Sequence, residues 1–493
     1  MKKIPELQWM QGFRKRLDQA GYQSEGLREL LGSSNPPTPS EMPLAMHLTR
    51  VMTPLNTYLR LFLLGQSVDA TAARETLSDQ FVDNCVKFRL LATADDRLYA
   101  NIVIVPVDDL LFASDAFRKL GTPEAADFVL PASTHSADIL RRVTMRGDVD
   151  RCLDLGCGCG IHALLAARHS ERVVASDISA AAIQYTAFNA MLNGISNVEC
   201  VAGNLFEPVA GQRFDLIICN PPFVIGPGQQ FVYRDNEMEL DQFCREIVRQ
   251  ASDHLVEGGH LQMLCEWVEI VGELWSDRVS EWVRDTQCDA WILRSAALTP
   301  VQYVLQRTSD LIGEGMQDDA AYSEWLQYFE QHAVQTIDPG IIVLRRRSDD
   351  NWVHLHSISG DLGDNAGDAI VDSIAACDFL DLCKDDDSLA KAALAISPRV
   401  RLEQQFSWAG DGWQPLTATL RREGGLPAAA EVDLPILAFL NQLDGKKTLG
   451  KSIEAFSTSV GADARELTKQ LLPPVRLLVG RGLLVAADLD ASV

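Results

Sequence analysis

Apolar residues recur at two different spacings along the chain. From residue 150 to about residue 345, short apolar runs alternate with longer amphipathic stretches. The runs predict buried strands and the stretches predict helices with one buried face. Strands are predicted at residues 152–155, 172–176, 198–201, 214–219, 260–267, 290–294 and 340–345. Helices are predicted at residues 161–168, 180–192 (with Ser179 as N-cap), 240–255 and 274–286. This alternation predicts an α/β fold, a doubly wound and mostly parallel sheet of seven strands.

The flanking regions have other patterns. Residues 1–85 carry helical stripes, and strand-like runs follow at residues 86–91 and 98–105, an order that suits a winged helix. Beyond residue 350, acidic and Gly/Pro-rich spacers separate short elements, and three helices from residue 434 lead into a strand. We therefore predict three domains: 1–85, helical and winged-helix-like; 86–349, containing the sheet; and 350–493, an α/β accessory domain that is also winged-helix-like.

Composition narrows the functional classes. No apolar run is long enough to span a bilayer, and the first residues lack an apolar signal core, so we expect a cytoplasmic protein with no membrane partner. The eleven cysteines are scattered in apolar segments, as reduced core thiols are. Cys152, Cys157 and Cys159 bunch together, but no second cluster completes a zinc-like spacing, so we expect no metal.

The acidic charge limits the kinds of partner. The formal net charge is −24, whereas phosphate binding needs clustered Lys and Arg. The short basic runs at residues 14–16, 345–347 and 421–422 are typical of solvated faces. A long nucleic-acid footprint is disfavoured, and a small one remains open.

A glycine loop follows the first predicted strand of the sheet. Gly156, Gly158 and Gly160 alternate with other residues before a helix begins. Glycine allows tight turns and lets a ligand approach the backbone. Asp177 ends the next strand, where a carboxylate can accept hydrogen bonds from both hydroxyls of a ribose. The loop predicts a nucleotide-type cofactor.

The nature of the cofactor depends on spacing and charge. The loop is G-x-G-x-G and not the dinucleotide pattern G-x-G-x-x-G. Asp154 precedes it by two residues and suits a cationic ligand better than a pyrophosphate. These features favour S-adenosyl-L-methionine (AdoMet) over NAD(P). We expect Cys157 and Ile178 to line the same site.

A second loop follows the third predicted strand. Asn204 is placed to hydrogen-bond an adenine edge, and Leu205 or Phe206 could cover the face of the adenine. A loop without a binding role is the alternative.

The strand at residues 214–219 ends in Asn220, Pro221, Pro222 and Phe223. The Asn220 side-chain oxygen and the Pro221 carbonyl can together accept both hydrogens of a planar NH2 group. Phe223 offers a flat face to the group that carries it. Loops at the carboxyl ends of strands hold the chemistry of open α/β sheets. We therefore expect these four residues to be catalytic, and residues 233–235 to form either a lid or a plain surface loop.

In this order and spacing, the segments 154–160, 203–208 and 220–223 with Asp177 resemble class I AdoMet-dependent methyltransferases. Within that class they are similar to the branch with an N-P-P-Y/F motif, which includes the HemK/PrmC-type protein-glutamine methyltransferases. Residues 129–140 and 255–261 resemble the corresponding segments of that type, so the resemblance covers about residues 125–270. It implies a Rossmann-like methyltransferase domain at 86–349, and AdoMet held by Asp154, the glycine loop, Asp177, Ile178, Asn204, Leu205 and Asn220.

Three positions depart from the HemK/PrmC pattern. Ala132 stands where an arginine is usual, Asn204 where aspartate is common, and Phe223 where tyrosine is typical. The resemblance implies methyl transfer to a planar nitrogen, with a protein glutamine amide as the first expectation. The alternatives are the exocyclic amine of a nucleic acid base (adenine N6 or guanine N2) and a non-catalytic AdoMet-binding factor.

Overall fold

The structure of the protein is a computed structural model, which describes residues 5–121, 123–228, 238–310, 319–348, 350–358 and 360–487. The chain divides into two compact units. One contains residues 1–141 and 147–357, and the other contains residues 142–146 and 358–493. The separate domain predicted for residues 1–85 and the boundary predicted at 350 stay predictions. No helix among the described residues is long and apolar enough to cross a membrane.

The first unit begins with helices and two small antiparallel sheets. The helices are α1 (Leu7–Gln19), α2 (Ser24–Leu31), α3 (Met42–Leu48), α4 (Pro54–Tyr58, continuing as a π-helical turn at Leu59–Leu63), α5 (Ala70–Leu77) and α6 (Asp79–Lys87). The strands are β1 (Val68–Asp69), β2 (Leu91–Ala94), β3 (Arg97–Ala100), β4 (Ile102–Val107) and β5 (Leu110–Asp115). The strand order of the three-stranded sheet is β1-β3-β2, and β4 and β5 form a two-stranded sheet.

Of the two strand-like runs predicted in this region, the first was wrong and the second is confirmed as two strands. Residues 86–91 contain the end of α6, whose buried residues are Phe81, Val82 and Cys85 and whose last residue, Lys87, is exposed. The run at 98–105 is divided at Asn101 between β3 and β4. There the Asn101 backbone N–H donates to the Leu90 carbonyl. The winged-helix prediction for this region stays a prediction.

A large sheet forms the centre of the first unit. Its strands are β6 (Val149–Leu155), β7 (Ser170–Asp177), β8 (Val198–Ala202), β9 (Phe214–Cys219), β10 (Leu255–Ile270), β11 (Cys288–Arg294), β12 (Val334–Arg346) and β13 (Val353–Ser357). The strand order is β13-β11-β12-β10-β9-β6-β7-β8. All neighbours are parallel except β12, which runs antiparallel to both β10 and β11. The predicted α/β class, doubly wound and mostly parallel, is confirmed.

Over the described residues the sheet has eight strands and not the predicted seven. The additional strand, β13, pairs in parallel with β11 at the edge of the sheet. Its sequence, Val-His-Leu-His-Ser, has only two apolar residues and no fully buried position. An edge strand of this kind lacks the continuous apolar run that identifies a central parallel strand.

Helices cover the sheet. They are α7 (His135–Val143), α8 (Ile161–Ala166), α9 (Ala180–Leu192), α10 (Gln242–Ala251), α11 (Trp275–Val283), α12 (Pro300–Asp310) and α13 (Asp319–Gln331). The Ser179 side chain accepts a hydrogen bond from the Ala182 N–H, which confirms it as the N-cap of α9. Leu153, Ile217, Leu261 and Ile342 are fully buried in the core between the sheet and its helices.

The second unit has its own core. Its helices are α14 (Ala366–Leu382), α15 (Asp386–Lys391), α16 (Leu434–Leu440), α17 (Leu449–Val460) and α18 (Ala464–Gly480), and its strands are β14 (Ala393–Ile396), β15 (Val400–Trp408), β16 (Trp413–Arg422), β17 (Ala429–Val432), β18 (Asp444–Thr448) and β19 (Leu484–Ala486). They form two three-stranded sheets, in the orders β18-β14-β19 and β15-β16-β17. The three helices predicted from residue 434, leading into a strand, are confirmed as α16, α17, α18 and β19.

Candidate active site

The predicted cofactor and catalytic segments meet at one edge of the large sheet. Leu155, the last residue of β6, pairs with Ser176 of β7 on one side and with Cys219 of β9 on the other. The glycine loop directly follows β6, Asp177 is the last residue of β7, and Asn220 directly follows β9. The parallel register therefore brings together groups that lie up to 66 residues apart in the sequence, from Asp154 to Asn220.

The three glycines of the loop have different reasons for lacking a side chain. All have positive φ values: 78° at Gly156, 53° at Gly158 and 82° at Gly160. A Cβ at Gly156 or Gly158 would meet nothing within 4 Å, so the backbone there faces open space. A Cβ at Gly160 would lie 2.8 Å from Thr186 Cγ2. The first two glycines thus form an open cradle, and the third allows α9 to pack closely against the loop.

Backbone N–H groups hold the Asp177 carboxylate in place. Oδ2 accepts a hydrogen bond from the Gly158 N–H at 2.9 Å, and Oδ1 accepts one from the Ser179 N–H at 2.8 Å. Burial raises the pKa of this carboxyl, and these bonds act in the opposite direction. Each carboxylate oxygen can accept a further hydrogen bond. Asp177 is therefore oriented in advance, with acceptor capacity left for hydroxyl groups.

Asp154 is fully buried at the end of β6. Its Oδ2 accepts a hydrogen bond from the Ala163 N–H at 2.8 Å, whereas its Oδ1 has no hydrogen-bond partner among the described residues. Burial raises the pKa of the Asp154 carboxyl to about 7. A buried acceptor without a partner, beside an open glycine cradle, suits a cationic group.

The cysteines near the loop are protonated core residues. Cys152, Cys157 and Cys159 are all buried. Burial raises the pKa of the Cys159 thiol to about 12 and shifts the pKa of the other two thiols upward as well. No group of three or more Cys, His, Asp or Glu that could hold a metal occurs in the part of the chain that the structure describes. Cys157 accepts a hydrogen bond from the Thr186 hydroxyl at 3.3 Å.

The loop after β8 lies against the same edge, because the Gly203 N–H donates to the Asp177 carbonyl. Asn204 is exposed, and Leu205 is partly buried with φ of 45°. Phe206 is buried, and its ring stacks on the His254 ring with 4.6 Å between the ring centroids. The Phe206 ring is therefore already packed against another side chain. Of the two apolar residues predicted to cover a ligand ring, Leu205 remains available. Ile178 follows Asp177 and is 62% exposed, an unusual position for a large apolar side chain.

Asn220 is held by a residue that sequence reasoning missed. Its Nδ2 donates to the Ser136 hydroxyl at 3.2 Å, and no described residue donates to its Oδ1. Ser136 lies in the first turn of α7, within the segment 129–140, and only its position in that segment could have signalled a role. Pro221 is buried, and Phe223 is partly buried against the core. The oxygen of the Asn220 amide is thereby turned away from Ser136.

Two predictions remain, one for Pro222 and one for residues 233–235. Pro222 is partly buried next to Phe223. Residues 233–235, for which a lid was one prediction, lie outside the described residues.

Comparison with known proteins shows that the part of the chain around these residues is similar to methyltransferases. A family model described as the methyltransferase small domain matches residues 135–269, which include Ser136 and both predicted motifs. Residues 135–269 are a class I methyltransferase domain. Models described as domains of unknown function (DUF7059 and DUF7782) match residues 19–101 and 373–486.

Similar proteins include ribosomal RNA methyltransferases. The ribosomal RNA small subunit methyltransferase C of Cronobacter sakazakii is 35% identical over 117 residues, which are 23% of this chain and 31% of that protein. The protein of the same name from Escherichia coli (strain SMS-3-5) is 37% identical, with the same coverage. The chain thus matches about a third of the length of these curated relatives.

Solved structures similar to this chain include a methyltransferase from Pyrococcus furiosus. It is 18% identical, with a TM-score of 0.27, over 43% of this chain and 82% of that one. The fold of the methyltransferase domain is established here by its own strand order and by the directions of its strands.

Proposed function

We propose that the methyltransferase domain transfers a methyl group from AdoMet to the exocyclic amine of a base in RNA. The observation that carries the proposal is the Asn220 amide, which is anchored through Nδ2 to Ser136 beside the glycine cradle. The similarity to ribosomal RNA methyltransferases over 117 residues favours a base over the glutamine amide that was the first expectation. The resemblance to HemK/PrmC-type protein-glutamine methyltransferases stays a prediction.

The described residues fit AdoMet. The open space at Gly156 and Gly158, the unpartnered Oδ1 of Asp154 and the oriented carboxylate of Asp177 offer a cradle, a place for a cation and an acceptor for ribose hydroxyls. Ile178 and Leu205 offer apolar surface for an adenine ring, and Asn204 a polar group for its edge. When bound, AdoMet supplies an activated methyl group on a sulfonium.

The chain contributes orientation and charge stabilisation. An exocyclic amine is a poor nucleophile because its lone pair is delocalised into the ring. By accepting hydrogen bonds from its two N–H groups, Asn220 Oδ1 and the Pro221 carbonyl would turn the lone pair towards the methyl group and stabilise the positive charge that develops on nitrogen. The donor would leave as a neutral thioether, and the methylated nitrogen would then release one proton to solvent. Pro222 restricts the backbone at that point. Phe223 offers a ring face against which a base can stack.

The acidic charge is compatible with this substrate if the contact is short. With a net charge of −24, the chain cannot hold a long duplex by phosphate contacts alone. An amine on a base is reached when the base is unpaired or flipped out of its stack. We therefore propose a single unpaired base, and not a long helix, as the element recognised at this site.

The test uses tritiated AdoMet with an in vitro transcript of small-subunit ribosomal RNA and, separately, with a bacterial protein extract. We expect label in nucleosides after nuclease digestion of the transcript. Label released as amino acids from the extract would favour the glutamine amide instead. Calorimetric binding of AdoMet without transfer to either would favour the non-catalytic factor.

The variant Asn220→Ala tests the role of the amide. We expect transfer to fall by about 10²-fold or more, as for loss of a donor or acceptor that acts on the transition state, with AdoMet affinity within twofold of the original. Asn351→Ala is the matched control, because Asn351 is exposed and donates only to the Arg347 carbonyl. If Asn220→Ala kept its turnover, or lost AdoMet binding, the assignment would be wrong.

A further inference from the structure

The connection between β11 and β12 lies at the catalytic edge of the sheet. Because β12 is antiparallel to β10 and β11, the carboxyl end of β11 and the amino end of β12 lie at the same edge as the carboxyl end of β10. This connection carries α12 and α13. The methyltransferase family match ends at residue 269, before both helices.

Helix α12 contacts the chain just beyond Phe223 through one hydroxyl. The Tyr303 hydroxyl accepts a hydrogen bond from the Ile225 N–H at 3.0 Å and donates one to Glu266 Oε2 at 2.5 Å. Tyr303, Ile225 and Glu266 are all at most 1% exposed. Arg307, one turn further along α12, forms an ion pair with Glu266. Ile225 is thereby tied to the centre of the sheet through β10.

Helix α13 also contacts the chain just beyond Phe223, at Gly226, and it makes a second contact at Leu240. A Cβ at Gly226 would lie 2.6 Å from the Trp325 ring, so the backbone at this glycine lies directly against α13. The Tyr328 hydroxyl accepts a hydrogen bond from the Leu240 N–H at 3.1 Å. Two tyrosines of the α12–α13 pair therefore hold two backbone N–H groups, one shortly after the catalytic segment and one before α10.

We propose that Tyr303 is a positioning residue for methyl transfer, acting through Ile225 to fix the backbone of the segment Asn220–Phe223. The proposal rests on the function proposed above. Catalysis by orientation requires that the Pro221 carbonyl and the Asn220 amide stay within a fraction of an ångström of their places. The hydroxyl is separable from packing, because the Tyr303 ring fills the core through contacts with Trp325 and Phe329 that a phenylalanine would retain.

The test compares Tyr303→Phe with Tyr328→Phe in the full-length protein. Phenylalanine leaves the buried Ile225 N–H without its acceptor, so we expect amide hydrogen exchange at Ile225 to rise about fivefold in Tyr303→Phe. With the small-subunit ribosomal RNA transcript, kcat should fall about tenfold while the Kd for AdoMet stays within twofold. Tyr328→Phe should raise exchange at Leu240 and leave kcat within about twofold.

A second variant guards against general loosening of the fold. Glu266→Gln keeps an oxygen that can accept from Tyr303, so exchange at Ile225 should stay near the original rate. Unchanged exchange at Ile225 in Tyr303→Phe would overturn the proposal. So would an equal rise of exchange at Ile225 in Tyr303→Phe and in Glu266→Gln. The exchange measurement needs no substrate, so it still decides whether Tyr303 holds Ile225 if the transcript proves not to be methylated.

Discussion

The Asp177 carboxylate offers a sharp test of the cofactor site, because both of its oxygens already accept backbone hydrogen bonds. An exposed aspartate replaced by asparagine can usually rotate to place its amide oxygen where it is needed. At Asp177 either orientation would direct the new NH2 group at a backbone N–H, at Gly158 in one orientation and at Ser179 in the other. The change Asp177→Asn therefore cannot be accommodated by rotation.

The magnitude follows from what is lost. The two N–H groups are part-buried, so the loss of one acceptor should lower the free energy of unfolding by about 1 kcal/mol. One of the two positions facing the ribose also changes from acceptor to donor. Losing a hydrogen bond to a charged acceptor at that position costs about 2 kcal/mol, which corresponds to an increase of about thirtyfold in the Kd for AdoMet.

Calorimetry with AdoMet and thermal unfolding without it measure the two effects separately. Asp215→Asn is the matched control, since Asp215 is the second residue of β9, towards the opposite edge of the sheet. Its Oδ2 accepts a hydrogen bond from the Arg151 N–H, a bond that an amide oxygen can replace. We expect the control to keep its affinity and nearly all of its stability. Equal affinity in the two variants would refute the placement of the ribose at Asp177.

Two further predictions concern the same loop. Burial raises the pKa of Asp154 to about 7, so its carboxyl is mostly protonated at pH 6. Binding of a cation at pH 6 should therefore release about one proton. The affinity for AdoMet should rise as the pH increases through 7. Calorimetry at pH 6 in buffers of different ionisation enthalpy measures this release, which Asp154→Asn should abolish; equal release in both proteins would contradict it. Gly160→Ala combines a positive φ with the contact to Thr186 and should lower the free energy of unfolding by about 2–4 kcal/mol in denaturant titrations. Gly194→Ala, where φ is also positive but a Cβ meets nothing within 4 Å, should cost only about 1 kcal/mol, and equal losses would show that the Thr186 contact is unimportant.

Sequence predicts those helices and strands whose bounds are set by residues close together in the chain, such as an apolar run or a capping side chain. The run at 214–219 matches β9, and α9 begins and ends at the predicted residues, with Ser179 capping its start. The glycine loop and Asp177 could be placed together because parallel strands end at one edge. Bounds were less well predicted where packing extends an element, as in β10, which runs from Leu255 to Ile270.

The contacts that sequence could not predict are long-range and depend on one hydroxyl each. Ser136 reaches Asn220 across 84 positions of the chain, and Tyr303 reaches Ile225 across 78. Nothing in the periodicity around either residue distinguishes it from an ordinary helix residue. Phe206 was one of two choices for a ligand contact, and only the stacking on His254 separates it from Leu205.

The position of the α12–α13 pair has a consequence for how such a protein can change. The pair joins two adjacent antiparallel strands whose register runs from Cys288 opposite Arg346 to Arg294 opposite Gly340. A connection of another length or sequence would leave that register intact, but it would remove the hydroxyl that holds the Ile225 N–H unless the new helices supplied another buried acceptor. In evolution or in design, the helical pair and the segment Asn220–Phe223 must therefore change together.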